Sequence, residues 1–343
     1  GTLDIADATV HVNGRTVLGQ SALSTGSILL SGTASYYGNR FEAGALDGSS
    51  QMMSASMSIK DTAKMSLSGA MVLGYGLDSA TIINLSNSGA LTITGELDMG
   101  MTSGSHVTLS LADSSAVTVN GSRLRIGALA DTTGFLSVAD NAKLTVSANN
   151  INLGDGARTK GTLNISGTGS SVYANTHMRV GAGVGAQGTV SITGGTLTIA
   201  GTELSIGHGS GSTGIFSMSG GHLNMTNGGG VMTIGNQTNS SGTLDLSGTA
   251  SVSTRRLLIG NSGNTISGVT GTISITDNAK LQLSNALIMG YGPNASASLL
   301  MGGNGYLSLV NELDVGMNSG SKALISLSGS ATITGNSRLR LGV

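Results

Sequence analysis

A four-residue string, apolar-x-apolar-Gly, recurs thirteen times, from TVLG at 16–19 to LRLG at 339–342. Its glycines are Gly19, Gly44, Gly74, Gly100, Gly127, Gly154, Gly181, Gly207, Gly235, Gly260, Gly290, Gly316 and Gly342. Successive spacings are 25, 30, 26, 27, 27, 27, 26, 28, 25, 30, 26 and 26 residues, with no linker or composition break between units. Self-similarity at such a period marks a repeat architecture, in which one unit cannot bury its apolar face alone and must stack on its neighbours. The reading is one continuous solenoid segment, 1–343.

Each unit holds three alternating segments: one like GTLNIS (161–166), one like ALTITG (90–95), and the landmark itself. Alternation of apolar and polar residues gives a strand with one buried face. Gly, Asn, Asp and Ser fill the gaps, where backbone turns need them. Three short strands every 25–30 residues make one turn of a parallel β-helix, each strand pairing with its counterpart one turn later. The predicted class is all-β, a right-handed parallel β-helix of about 13 turns with no cap inside the segment.

The landmark sets the register. Residues one and three before the glycine point inward, as Met71 and Leu73 or Leu97 and Met99 do; the exception among apolar residues is Thr16. Residues two and four before it point outward and are expected on the surface: Glu96 and Asp98, Arg123 and Arg125, Asn150 and Asn152, His177 and Arg179, Glu203 and Ser205. A slip by one residue would bring these charges into the core, so the register is strongly specified. Val72, Leu258 and Ile288 break the polar pattern, which predicts that loops around 45–55 and 261–270, or a neighbouring molecule, cover them.

The stretch GTLNISGTGSSVYANTHMRVGAGVGAQGTVSITGGTLTIAGTELSIGHG (161–209) resembles the repeat shared by autotransporter (type V secretion) passengers and PEP-CTERM surface proteins. The match is best over 161–250 and looser elsewhere. The resemblance implies a right-handed β-helix on a bacterial cell surface and implies no catalytic residue. A β-barrel translocator and a sorting helix, which the family carries, are not in this stretch of chain.

A longer period lies above the short one. ELDMGMTSGS at 96–105 returns as ELDVGMNSGS at 312–321, and 21 of the 49 residues in 57–105 recur at an offset of 216. SGTAS (31–35, 247–251) shares that offset, so eight turns form a block. Duplicated blocks and uncapped ends predict a piece of a longer protein; thirteen turns at about 4.8 Å each make roughly 60 Å of rod. Stacking also predicts a charge ladder: Glu96 and Asp98 against Arg123 and Arg125, and in the copy Glu312 and Asp314 against Arg338 and Arg340. As surface pairs each contributes about 0.2–1 kcal/mol, and misalignment by a turn would stack like charges. His177 over Glu203 forms a weaker third pair.

Composition excludes several classes. Sixteen basic against seventeen acidic residues leave no electrostatic case for nucleic acid or an anionic membrane. No apolar run is long enough to span a bilayer as a helix, and no basic segment followed by an apolar one opens the chain. Cysteine is absent, which removes thiolate metal sites, and five scattered histidines show no ligand spacing. Glycine-rich stretches such as 228–230 lack the lysine and helix of a phosphate loop. GARTKG (156–161) and TRR (254–256) are small basic spots expected to be solvated.

Glu96 with Asp98, or Glu312 with Asp314, has the spacing of a glycosidase carboxylate pair, but the facing arginines would keep both ionised. No catalytic, cofactor or metal residue is assigned. Outward threonines are interrupted by Lys, Gln, Arg and Asn, against an ice-binding ladder. A sugar groove needs exposed aromatics, and the chain has six Tyr and three Phe, among them Tyr36, Tyr37, Tyr75 and Tyr291. The expected function is a non-enzymatic extracellular rod, stalk or fibre; the alternatives are an adhesin or glycan-binding passenger and, behind it, a polysaccharide-degrading β-helix. Expected partners are copies of the chain, or a surface glycan or protein.

Overall fold

The computed structural model describes residues 1–343 apart from 45–51, 148, 261–265 and 343. It is all-β: 37 strands and no helix among the described residues, arranged as parallel strands stacked in a β-solenoid of about thirteen turns. Two compact units divide the chain, Gly1–Asn175 and Thr176–Val343.

In the first unit the six-residue strands Ser54–Ile59, Ala80–Leu85, His106–Leu111, Thr133–Val138 and Lys160–Ile165 pair in parallel and in register, turn upon turn. Shorter strands follow in each turn, such as Ala90–Ile93 and Leu97–Met99, stacked on their own counterparts. The second unit repeats the plan from Gln187–Ile192 to Lys322–Leu327. Three strands per turn is the rule, but the first two turns merge the second and third strands into Thr9–Leu18 and Ser35–Ala43.

The inward residues form continuous columns. Met71, Leu73, Leu97, Met99, Leu124 and Ile126 are all fully buried, and so are Leu204, Ile206, Leu257 and Ile259 in the second unit. Each side chain packs on the residue about 4.8 Å away in the next turn. Leu339 and Leu341 follow the pattern but are exposed, 61% and 66%, because their turn is covered on one side only. The Thr16 exception has a partner: its hydroxyl meets that of Tyr36, a core residue 1% exposed.

Two glycine columns have different causes. Every landmark glycine is left-handed, with φ from +63° to +116°, a region that costs other residues strain. The glycine opening GT-x-x-I segments answers close approach instead: a Cβ at Gly188 would lie 2.1 Å from the backbone nitrogen of Gly181.

Candidate functional site

The third strand of each turn carries the charged residues singled out by the sequence. Asp98 pairs with Arg125 one turn on, and Asp314 with Arg340. The Arg125 guanidinium donates to both Asp98 oxygens, from Nε at 2.6 Å and Nη2 at 2.7 Å. Arg123 lies 3.1 Å from Glu96, which also accepts from the Ser122 hydroxyl. In the copy, Arg340 engages Asp314 through Nε at 2.6 Å and through Nη2, and Arg338 engages Glu312.

Their setting differs from the expected surface. Most residues two before the landmark glycine are buried: Asp98 is 1% exposed, Asp314 0%, Glu42 2% and Arg125 8%, whereas Arg179 and Arg340 are half-buried. In two turns the side chain after the glycine lies against Arg125. Met101 Sδ sits 3.7 Å from Arg125, and Asp155 accepts from Asn152 at 2.8 Å while lying 3.6 Å from Arg125. Asp98 with Arg125 is therefore a buried ion pair rather than a surface one, whereas the side chains of Arg123, Arg338 and Arg340 stay partly exposed, at 41%, 55% and 30%. Burial pulls the Arg125 pKa down, and the hydrogen bond and charge of Asp98, with Asp155 and Glu96, outweigh it and hold it raised. Of the three apolar residues that break the outward pattern, Val72 and Ile288 are buried, at 1% and 4%, and Leu258 is half-buried. Of the loops around 45–55 and 261–270 that the sequence suggested as their cover, residues 45–51 and 261–265 lie outside the described residues.

The third pair is wired differently. His177 is in register with Glu203, but Arg179 at 3.5 Å and His208 at 3.4 Å contact its carboxylate. The His208 hydrogen bond, ahead of the Arg179 charge and against burial, holds Glu203 below the usual carboxylate range. The GARTKG spot is paired too: Arg158 donates to both oxygens of Asp131, at 2.9 and 2.7 Å, on the open surface. Among the described residues no group of three His, Asp or Glu could hold a metal.

Two features escaped sequence reasoning. Glu42 is gripped by Arg40 at 2.5 Å and by Arg15 of the turn before at 3.5 Å; the stacking rule applied to FEAG would have found it. The corner after the first strand carries Asp61, Asn87, Asp113 and Asp140, all left-handed at φ 56–62°. Asp61 accepts from the Gly32 backbone N–H at 3.0 Å and Asp113 from that of Asn87 at 2.8 Å. These side chains tie each turn to the one before, and the Gly32 N–H is the main reason the Asp61 carboxyl is lowered.

The corner between the second and third strands holds a recess in each unit. Each corner runs from the start of the second strand to the landmark glycine. Ser35 to Gly44 and Ser251 to Gly260 take nine residues, against ten to thirteen in the other turns. The chain cuts these two corners, and its neighbours stand proud around them. The first recess, about 380 Å³, is lined by His11, Asn13, Tyr37, Asn39, Ser66 and Thr92, among others. The second, about 430 Å³, is lined by Asn227, Ser253, Arg255, Gln282 and Ser308, among others. His11, Tyr37, Asn39, Ser66 and Thr92 plus 216 are these same five positions. Tyr37 is 44% exposed, and His11 stacks on it at 4.8 Å and 11°. Its sequence neighbour Tyr36 is not part of this surface.

No protein-family model matches the chain, and no curated protein matches it. Among solved structures it is similar to the crystal structure of a TibC-catalysed, hyper-glycosylated TibA55-350 fragment: 13% identity, 94% of this chain and 100% of that chain covered, TM-score 0.27.

Proposed function

We propose that this chain is a non-enzymatic scaffold, a load-bearing segment of a secreted or surface-anchored bacterial protein of the passenger type. The observation that carries the proposal is uniformity. The same rung, with buried Leu, Ile, Val and Met inside and a left-handed glycine at the landmark, recurs in turn after turn of both units. An enzyme of this architecture concentrates its ionisable groups in a cleft. Here the ladder carboxylates are engaged by arginines and recur in both units, which leaves no free carboxyl pair gathered at a single cleft. The resemblance of 161–209 to passenger repeats adds to the reading. Backbone hydrogen bonds along the stacking direction supply stiffness, and the apolar columns supply cohesion.

Antibodies against the 101–105 turn should label intact cells that produce the protein. Labelling only after permeabilisation would overturn the surface assignment. Incubation of the purified chain with acidic and neutral polysaccharides should release no reducing ends, and release that a ladder variant abolishes would overturn the non-enzymatic reading.

A further inference from the structure

The first cut corner has chemistry beyond a scaffold. Its lining holds no Asp, Glu, Lys or Arg: beside His11 the polar groups are Asn13, Tyr37, Asn39, Ser66, Ser68, Thr92 and Thr94. His11 and Tyr37 stack at a separation that matches the rise of the solenoid, so their rings lie across the stacking direction. One face of Tyr37 is taken by His11. On the other side the next residue in register is Ser66, and the next after that Thr92. Two rungs of short hydroxyl side chains therefore follow two rungs of rings, leaving a seat one ring thick against the open Tyr37 face.

From this geometry we infer that the recess over Tyr37 is a binding site for an uncharged saccharide. A pyranose ring presents a flat patch of C–H groups that packs on an aromatic face, and hydroxyls around its edge that need donors and acceptors. The recess offers both. Tyr37 is the platform, and Ser66, Thr92, Thr94 and the amides of Asn13 and Asn39 stand round the rim. Among the described residues the Tyr37 hydroxyl and the Asn13 amide have no hydrogen-bond partner, so they are available to a ligand. Asn39 receives the Ser68 hydroxyl at 3.5 Å, which orients its amide. The equivalent recess in the second unit is an internal control. It has the cut corner but Asn227, Ser253 and Arg255 where the first has His11, Tyr37 and Asn39, so it lacks the platform. The inference names a ligand class for the scaffold proposed above and does not depend on where that scaffold is displayed.

The test is an array of neutral oligosaccharides probed with the chain and four variants, each first checked for unchanged circular dichroism and melting temperature. Wild type should bind, and Tyr37→Phe, which keeps the ring but removes its hydroxyl, should bind more weakly than wild type and more tightly than Tyr37→Ala. Tyr37→Ala should lose at least tenfold. Ser66→Tyr, which fills the seat with a ring of the protein's own, should lose binding without loss of stability. Arg255→Ala should change nothing. No array signal from folded wild type, a signal that Tyr37→Ala retains, or a signal from proline-rich peptides alone would overturn the inference. Any of these would leave the scaffold reading, tested on cells and polysaccharides, untouched.

Discussion

Arg125 reaches back one turn and holds both carboxylate oxygens of Asp98, a residue 1% exposed. Next to Asp98 on the other side, in the same column, is Val72. An apolar side chain and a buried ion pair thus occupy equivalent positions on consecutive turns.

That arrangement makes the two kinds of substitution diverge. Arg125→Ala leaves Asp98 buried without its two hydrogen bonds, with only Arg123 at 3.9 Å in place of them, and should destabilise the chain by about 3 kcal/mol. Asp98→Val together with Arg125→Leu extends the Val72 column and should be neutral or stabilising. Chemical denaturation of the single and double variants decides it; a double variant as weak as the single would show that the pair is a net source of stability.

The landmark glycines should differ in tolerance according to what surrounds them. Gly207 and Gly316 share a left-handed backbone, at φ +73° and +72°. A Cβ at Gly207 would lie 2.3 Å from the Ser241 carbonyl oxygen, whereas at Gly316 the nearest atom is 3.8 Å away. Gly316→Ala should lose about 1–2 kcal/mol from backbone strain alone, and Gly207→Ala clearly more. Equal shifts in melting temperature would refute the distinction.

Glu203 gives a pH signature. Its carboxyl is lowered from 4.5 in the folded chain, first by the His208 hydrogen bond. A depressed acid contributes stability that is complete above its unfolded pKa and is lost as pH falls through the folded one. Wild type should therefore exceed Glu203→Gln in stability above pH 4.5, and the gap should close on acidification below that value. A gap that widens in acid contradicts the assignment.

Thr16 and Tyr36 should act as a unit. Tyr36→Phe strands the Thr16 hydroxyl in a part-buried site and should cost about 1–3 kcal/mol. Adding Thr16→Val removes the stranded group and should recover most of the loss, read as a coupling energy in a double-mutant cycle.

The thirteen landmarks, their inward columns and the 216-residue block are all legible in the chain, because side-chain direction in a strand alternates strictly and a shift by one residue inverts every choice. Stacking of Asp98 on Arg125 follows from the same count. Folding decided what that count cannot express. Alternation states which way Asp98 points; it does not state that Asp98 is buried or that Met101 and Asp155 come to lie against Arg125. The corner ladder of Asp61 and Asp113 depends on left-handed turns that reach backbone groups a full turn away. The Tyr37 recess exists because its corner is one residue shorter than those around it, a difference whose effect is set by the neighbouring turns. Sequence governs direction along one strand, and burial is a property of everything packed beside it.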